Sequence, residues 1–221
     1  MRSWFLFPPL TKEVQFDEKW SFVGKMEKML DPEIPQDAEK GDLWDHTAID
    51  AESRLLLAIV HGKRTAENCE KLVEDVKKRT GDRLDVLFTS DEHAPYETAI
   101  KKIYGERVPL PRKPGPGRPP SPKTIVPTGL CYATVRKTRK DGRVVQVIRT
   151  LVFGTLILLA ALLANSSASR KVNTSFVERN NGTDRGQNAR KRRKTLCFSK
   201  DVEIHISVSY FVGYGYNFMW P

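Results

Sequence analysis

Cysteine is scarce in this chain: three in 221 residues, Cys69, Cys131 and Cys197. They are far apart and odd in number, and none has the close spacing of a disulfide framework or a zinc ribbon. A disulfide-stapled scaffold is therefore excluded, and three buried thiols of a reducing compartment are expected. Long hydrophobic runs are missing too. The nine residues LILLAALLA at 156–164 fall well short of the roughly 20 needed to span a bilayer, so a membrane span is excluded and a buried core helix expected. The opening MRSWFLFPPL is apolar, but Pro8 and Pro9 break it and acidic sequence follows, which argues against a secretory signal.

Negative charge is nearly absent from the second half. Residues 1–100 carry 14 Lys/Arg against 21 Asp/Glu, residues 101–143 carry 12 against 2, and residues 144–221 carry 11 against 4. The overall net charge of +10 is therefore a basic half following an acidic one. Such a split suits a polyanion bound by the second half while carboxylates of the first hold something else. Nucleic acid is the commonest polyanion; an anionic membrane surface is the rival.

Residues 14–25 (VQFDEKWSFVGK), 43–50 (LWDHTAID) and 54–61 (RLLLAIVH) read as three strands on short loops, an antiparallel meander. Trp20 and Trp44 are expected as core aromatics and Asp50 as a turn residue. Thr65 is a candidate N-cap for a helix to Arg79 that places Leu72, Val73 and Val76 on one face, and Gly81 stops it. LDVLFT at 84–89 is a short, central type of strand with Asp91 just past its end, and a helix over about 95–104 follows. A strand reached through a crossover helix is usually parallel to a neighbour.

Eight prolines between Pro109 and Pro127 exclude helix and central strand, leaving an extended basic linker. Within it GRPP at 117–120 has the core of the minor-groove AT-hook, although composition alone supports only the linker. LCYATVRKT and RVVQVIRTLVF then flank Asp141-Gly142, a strong hairpin turn. This predicts a basic hairpin, with Arg136, Lys137, Arg139 and Lys140, inserted between core elements. A final helix is expected within 198–218.

Three carboxylates stand out by position. Asp17 lies in the first strand, Asp91 just past the fourth, and Glu178 near the start of a late helix. If strands one and four are neighbours, Asp17 and Asp91 sit side by side, and a helix across that edge brings Glu178 to them. Hard oxygen donors of this kind suit a pair of Mg²⁺ ions at a phosphodiester. The plainer alternative is a surface Glu ahead of a solvated basic helix. Glu18 and Glu92, each next to one of these aspartates, should point to the opposite face.

The blocks FDEKWSFVGK, TSDEHAPYE, NTSFVERNNGTDR and FSKDVEIH, in that order, resemble signature blocks of the bacterial transposases of the insertion-sequence-one type. The likeness runs from about residue 15 to the C-terminus. It implies a DDE recombinase: an α/β, ribonuclease H-like mixed five-stranded sheet flanked by helices, with the basic β-hairpin inserted. It also implies Asp17, Asp91 and Glu178 as catalytic and metal-binding residues for two Mg²⁺ or Mn²⁺ ions, with His205 a possible auxiliary or a packing histidine. Residues 1–104 and 154–221 would form the two parts of the core, with linker and hairpin between them at 105–153. The family's usual N-terminal DNA-binding region is not expected within the 16 residues ahead of Asp17.

Arg185, Arg190, Lys191, Arg192, Arg193 and Lys194, with the hairpin cations, are expected to grip phosphates without reading sequence. The partners implied are transposon-end and target DNA and further copies of the chain on DNA, in a bacterial cytoplasm with nucleoid association and no membrane. Two other readings stay open: an inactive remnant that binds DNA non-specifically, and a nuclease on the same core.

Overall fold

The computed structural model describes residues 11–110 and 120–219. Strand β1 (Glu13–Val23), β2 (Gly41–Asp50) and β3 (Leu56–Gly62) form the expected meander, antiparallel throughout. Helix α1 (Ala66–Arg79) starts at Thr65, whose side chain accepts the Asn68 N–H, and Gly81 follows it at φ +66°. The chain returns through β4 (Leu87–Ser90), parallel to β1, and then α2 (Ala94–Tyr104). Even-numbered Val14 and Phe16 of β1 pack with Leu72, Val73, Val76, Phe88, Tyr96 and Ile100 into the main apolar core, between the sheet and α1/α2.

Short β5 (Glu106–Val108) and β6 (Lys123–Ile125) pair with each other, so both flanks of the proline segment are extended and tied together. Gly117, Arg118 and Pro119 of the GRPP stretch lie outside the described residues. The hairpin is present as β7 (Cys131–Lys140) and β8 (Arg143–Phe153), turning at Asp141 and Gly142 with φ of 51° and 75°, as a tight hairpin turn demands. It is continuous with the sheet rather than set apart from it: β7 pairs in parallel with β4, and its first five residues are buried. The sheet order is β3-β2-β1-β4-β7-β8. The five strands expected are β3, β2, β1, β4 and β7 in that order, and β8 makes a sixth.

The other face of the sheet carries α3 (Leu156–Asn165), α4 (Ser175–Gln187) and α5 (Val202–Met219). Helix α3 departs from the buried core helix expected. Leu162 is buried against Leu87 and Cys131, but Leu156 is 75% and Ile157 84% exposed. With apolar residues all round, its sequence could not show that a single face meets the sheet. Trp20 and Trp44 are half-buried, not core, and Arg64 lies over the Trp44 ring at 4.9 Å. Cys69 and Cys131 are buried, whereas Cys197 is exposed. No helix among the described residues is long and apolar enough to cross a membrane.

Candidate active site

The odd-numbered side chains of β1 act as a ruler for the C-terminal helices. Gln15 Oε1 accepts the backbone N–H groups of Phe176 and Val177 at 3.0 and 3.2 Å, so it caps α4 where Thr174 makes no side-chain cap. Asp17 Oδ2 accepts from Asn181 Nδ2 at 2.8 Å, Lys19 pairs with Asp184, and Ser21 Oγ meets His205 Nε2 at 3.1 Å. One strand thus fixes the height of α4 and with it the position of Glu178.

The parallel register Gln15↔Thr89, continued two residues, sets Asp17 beside Asp91 where β4 gives way to α2. Asp17 Oδ1 accepts its neighbour's N–H (Glu18, 2.9 Å) and Asp91 Oδ1 accepts that of His93 at 3.1 Å. Asp17, Asp91 and Glu178 line one cleft of about 640 Å³. The third carboxylate is held slightly apart. Glu178 Oε1 accepts from Thr174 Oγ1 at 2.7 Å and is ion-paired with Lys137 of β7.

Sequence reasoning did not foresee how close Glu18 comes. It points to the α1/α2 side as expected, yet one oxygen each from Asp17, Glu18 and Asp91 lie within 4.8 Å of one another. Arg64 Nη2 holds Glu18 Oε2 at 2.9 Å. The available signal was a charged residue in the even-numbered file of β1, where Val14 and Phe16 are apolar.

Crowding carboxylates has an electrostatic cost. Burial, and then the neighbouring charges of Asp91, Glu18 and Glu178, push Asp17 up to about 7. Burial and the Glu18 charge raise Asp91 as well. Such a set is incomplete without positive charge. The donors fit a hard divalent cation: all are carboxylate oxygens, and Mg²⁺ ligands at about 2.1 Å from the ion stand roughly 3–4 Å apart.

Around this acidic floor stand cations. Arg136, Lys137 and Arg139 from the hairpin, and Arg185 and Arg193 from the late segment, line the cleft with Arg64. Lys140 lies exposed at the hairpin tip, and Arg192 and Lys194 are exposed beside the helix end. One expected role needs revision. The side chain of Lys191 is fully buried in an ion cluster with Asp45 and Asp184, so it has no surface to offer a phosphate. Arg190 is half-buried, with Nη1 at 3.4 Å from Ser199 Oγ. His205 is buried between Ser21 and Ser199, the packing histidine of the two alternatives.

A mixed sheet of this order, with Asp17 in the middle of β1 and Asp91 just past the end of β4, its two central parallel strands, is the arrangement expected of the ribonuclease H-like class. Residues 160–214 match the family model described as IS1 transposase. That stretch includes Glu178 and most of α5, and it is the family that the signature blocks resemble. No curated protein matches the chain. Among solved structures, the Mos1 transposase in a paired-end complex with a left transposon end aligns at 16% identity with a TM-score of 0.26, covering 42% of this chain and 34% of that one. The alignment thus spans about a third of that protein's length.

Proposed function

We propose that the chain is a DDE transposase that cuts DNA at the ends of an insertion sequence and joins them to a target. The observation that carries this reading is the meeting of Asp17, Asp91 and Glu178, more than 70 residues apart at each step, in one cleft with a cationic rim. Asp17, Asp91 and Glu178 would hold two Mg²⁺ or Mn²⁺ ions, with Glu18 beside them. These ions supply Lewis acidity for in-line displacement at phosphorus.

The chain's own residues do the rest. The hairpin and late-segment cations fix the duplex by its phosphates, which positions a scissile linkage without reading bases. The carboxylate oxygens of Asp17 and Asp91, kept close by β1 and β4, face the reacting phosphate. Lys137 must give up Glu178 for that carboxylate to join them, and a DNA phosphate is a competing partner for the freed ammonium. Water opens one strand at each element end, and the released 3′-OH then displaces a target phosphodiester at the same site. No Ser, Tyr or Cys nucleophile is required. Holding two ends together calls for at least two copies of the chain on DNA.

The Lys137–Glu178 pair favours one second reading, a chain that binds DNA but does not cut it. A strand-transfer assay with a pre-cut 3′-OH end in Mg²⁺ or Mn²⁺ separates the possibilities. Joined products that disappear with Asp17→Asn support the transposase. Cleavage without joining points to a nuclease, and a shifted but unreacted DNA to the binding remnant.

A further inference from the structure

On the α1/α2 side of the same sheet a second set of donors converges, of a different chemical kind. One ligand atom each from Glu18, Cys69 and His93 lie within 4.8 Å of one another. They come from three elements: β1, the first turns of α1, and the residue before α2. Cys69 is buried and the Glu18 side chain is 1% exposed. One of the polar atoms, His93 Nε2, is buried without a hydrogen-bond partner, and the Glu18 carboxylate has the Tyr96 hydroxyl beside it in a buried setting. Orphaned buried groups are costly and unusual in a native interior. Tyr96 packs edge-on to His93 at 5.9 Å and closes this side of the group.

We propose that Glu18, Cys69 and His93 form a cation site distinct from the hard-oxygen group, suited to a borderline-soft ion such as Zn²⁺. Carboxylate, imidazole and thiolate are the three donor types that Zn²⁺ takes, whereas Mg²⁺ avoids sulfur and nitrogen. Zn–S distances near 2.3 Å and Zn–N or Zn–O distances near 2.1 Å place ligand atoms roughly 3.5 Å apart, a small side-chain adjustment from the present arrangement. Glu18 and His93 line the cleft, which gives an ion a way in.

His46, opposite Glu18 in the β1–β2 register, supplies support from outside the ligand set. Its Nε2 is 3.2 Å from the Lys63 carbonyl and so carries the proton, leaving Nδ1 to accept the Cys69 thiol at 3.8 Å. On binding, the thiol proton is released to solvent and the sulfur becomes the ligand. Glu18, with Oε2 paired to Arg64, would stand between the two cation sites.

The test uses Co²⁺ alone, without DNA, so it stands apart from strand transfer. Thiolate ligation of Co²⁺ gives strong near-ultraviolet charge-transfer absorption that carboxylate and imidazole do not. One equivalent of Co²⁺ is expected to produce that band and Zn²⁺ to displace it. Cys69→Ser should abolish the band and His93→Gln weaken Co²⁺ affinity tenfold or more, with melting curves confirming that both variants fold. Cys197→Ser should leave the band within twofold. No band in the parent chain, a band that survives Cys69→Ser, or one lost with Cys197→Ser overturns the proposal.

Discussion

Two clusters of charge sit two residues apart on β1 and are built on opposite terms. At Asp17 carboxylates gather with no cation among the closest three. At Lys19 the charges are matched: Asp45 is buried with Lys19 at 3.2 Å, Lys191 in ion-pair contact and His61 Nδ1 at 2.6 Å, and Asp184 joins from α4. Burial opposes ionisation at both. Asp17 is left near 7, while Lys19 and Lys191 hold Asp45 well below the ordinary carboxylate range. The same side-chain type is thus a structural tie where its partners are supplied by the chain and a cation trap where they are not. The matched cluster joins β1, β2, β3 and α4, and so braces the helix that presents Glu178.

The two clusters should respond oppositely to substitution. Asp17→Asn or Asp91→Asn is expected to lower strand transfer by about 10³-fold, on the scale of losing a principal electrostatic stabiliser, without lowering the melting temperature. Asp45→Asn should do the reverse. It leaves Lys19 and Lys191 buried and short of charge, and breaking a buried pair costs about 3–5 kcal/mol, read by urea denaturation. A stable Asp45→Asn or an unstable Asp17→Asn would erase the distinction.

A pH titration of stability sharpens it. Asp17, raised from 3.8 to about 7, contributes stability below about pH 4 that is lost as the pH rises through 7. Asp45, shifted downward, contributes above the ordinary carboxylate range what is lost as the pH falls. His205, lowered to about 4 chiefly by burial, likewise stabilises above pH 6.5 and loses that contribution as the pH drops towards 4. Thermal melts should therefore show Asp17→Asn flattening the limb between pH 4 and 7, and His205→Gln flattening the fall between 6.5 and 4.

Smaller effects belong to the rim. Arg193→Ala should weaken DNA binding uniformly across sequences and reduce the salt dependence by about one phosphate contact, whereas Lys191→Met should leave that slope unchanged and alter stability instead. Lys137→Met should change stability by only about 0–1 kcal/mol, the worth of a pair this exposed, while raising Mn²⁺ affinity a few-fold by freeing Glu178. Calorimetry checks the last point.

The fold was legible where local chemistry decides it. Alternation marked β1, Thr65 capped α1, and Asp141-Gly142 turned the hairpin. The convergence of Asp17, Asp91 and Glu178 followed from two strands being neighbours, a long-range fact that the signature blocks carried. What stayed hidden depends on partners distant in sequence. Lys191 sits in a run of cations and looks like its neighbours, and only the arrival of Asp45 from β2 makes it a buried residue. Asp184 and Gln15 drew no notice because their roles, an ion-pair bridge and a borrowed helix cap, exist only once α4 lies on β1. For β7, the basic tip of the hairpin masked an apolar first half that belongs to the core sheet.

The central claim is that Asp17, Asp91 and Glu178 serve one cation-binding cleft. Titration of Mn²⁺ by calorimetry into the DNA-bound chain and its Asp17→Asn, Asp91→Asn and Glu178→Gln variants tests it most directly. Tight binding by the parent, weakened at least tenfold in every variant, is the predicted result. Affinity indifferent to all three substitutions would contradict it.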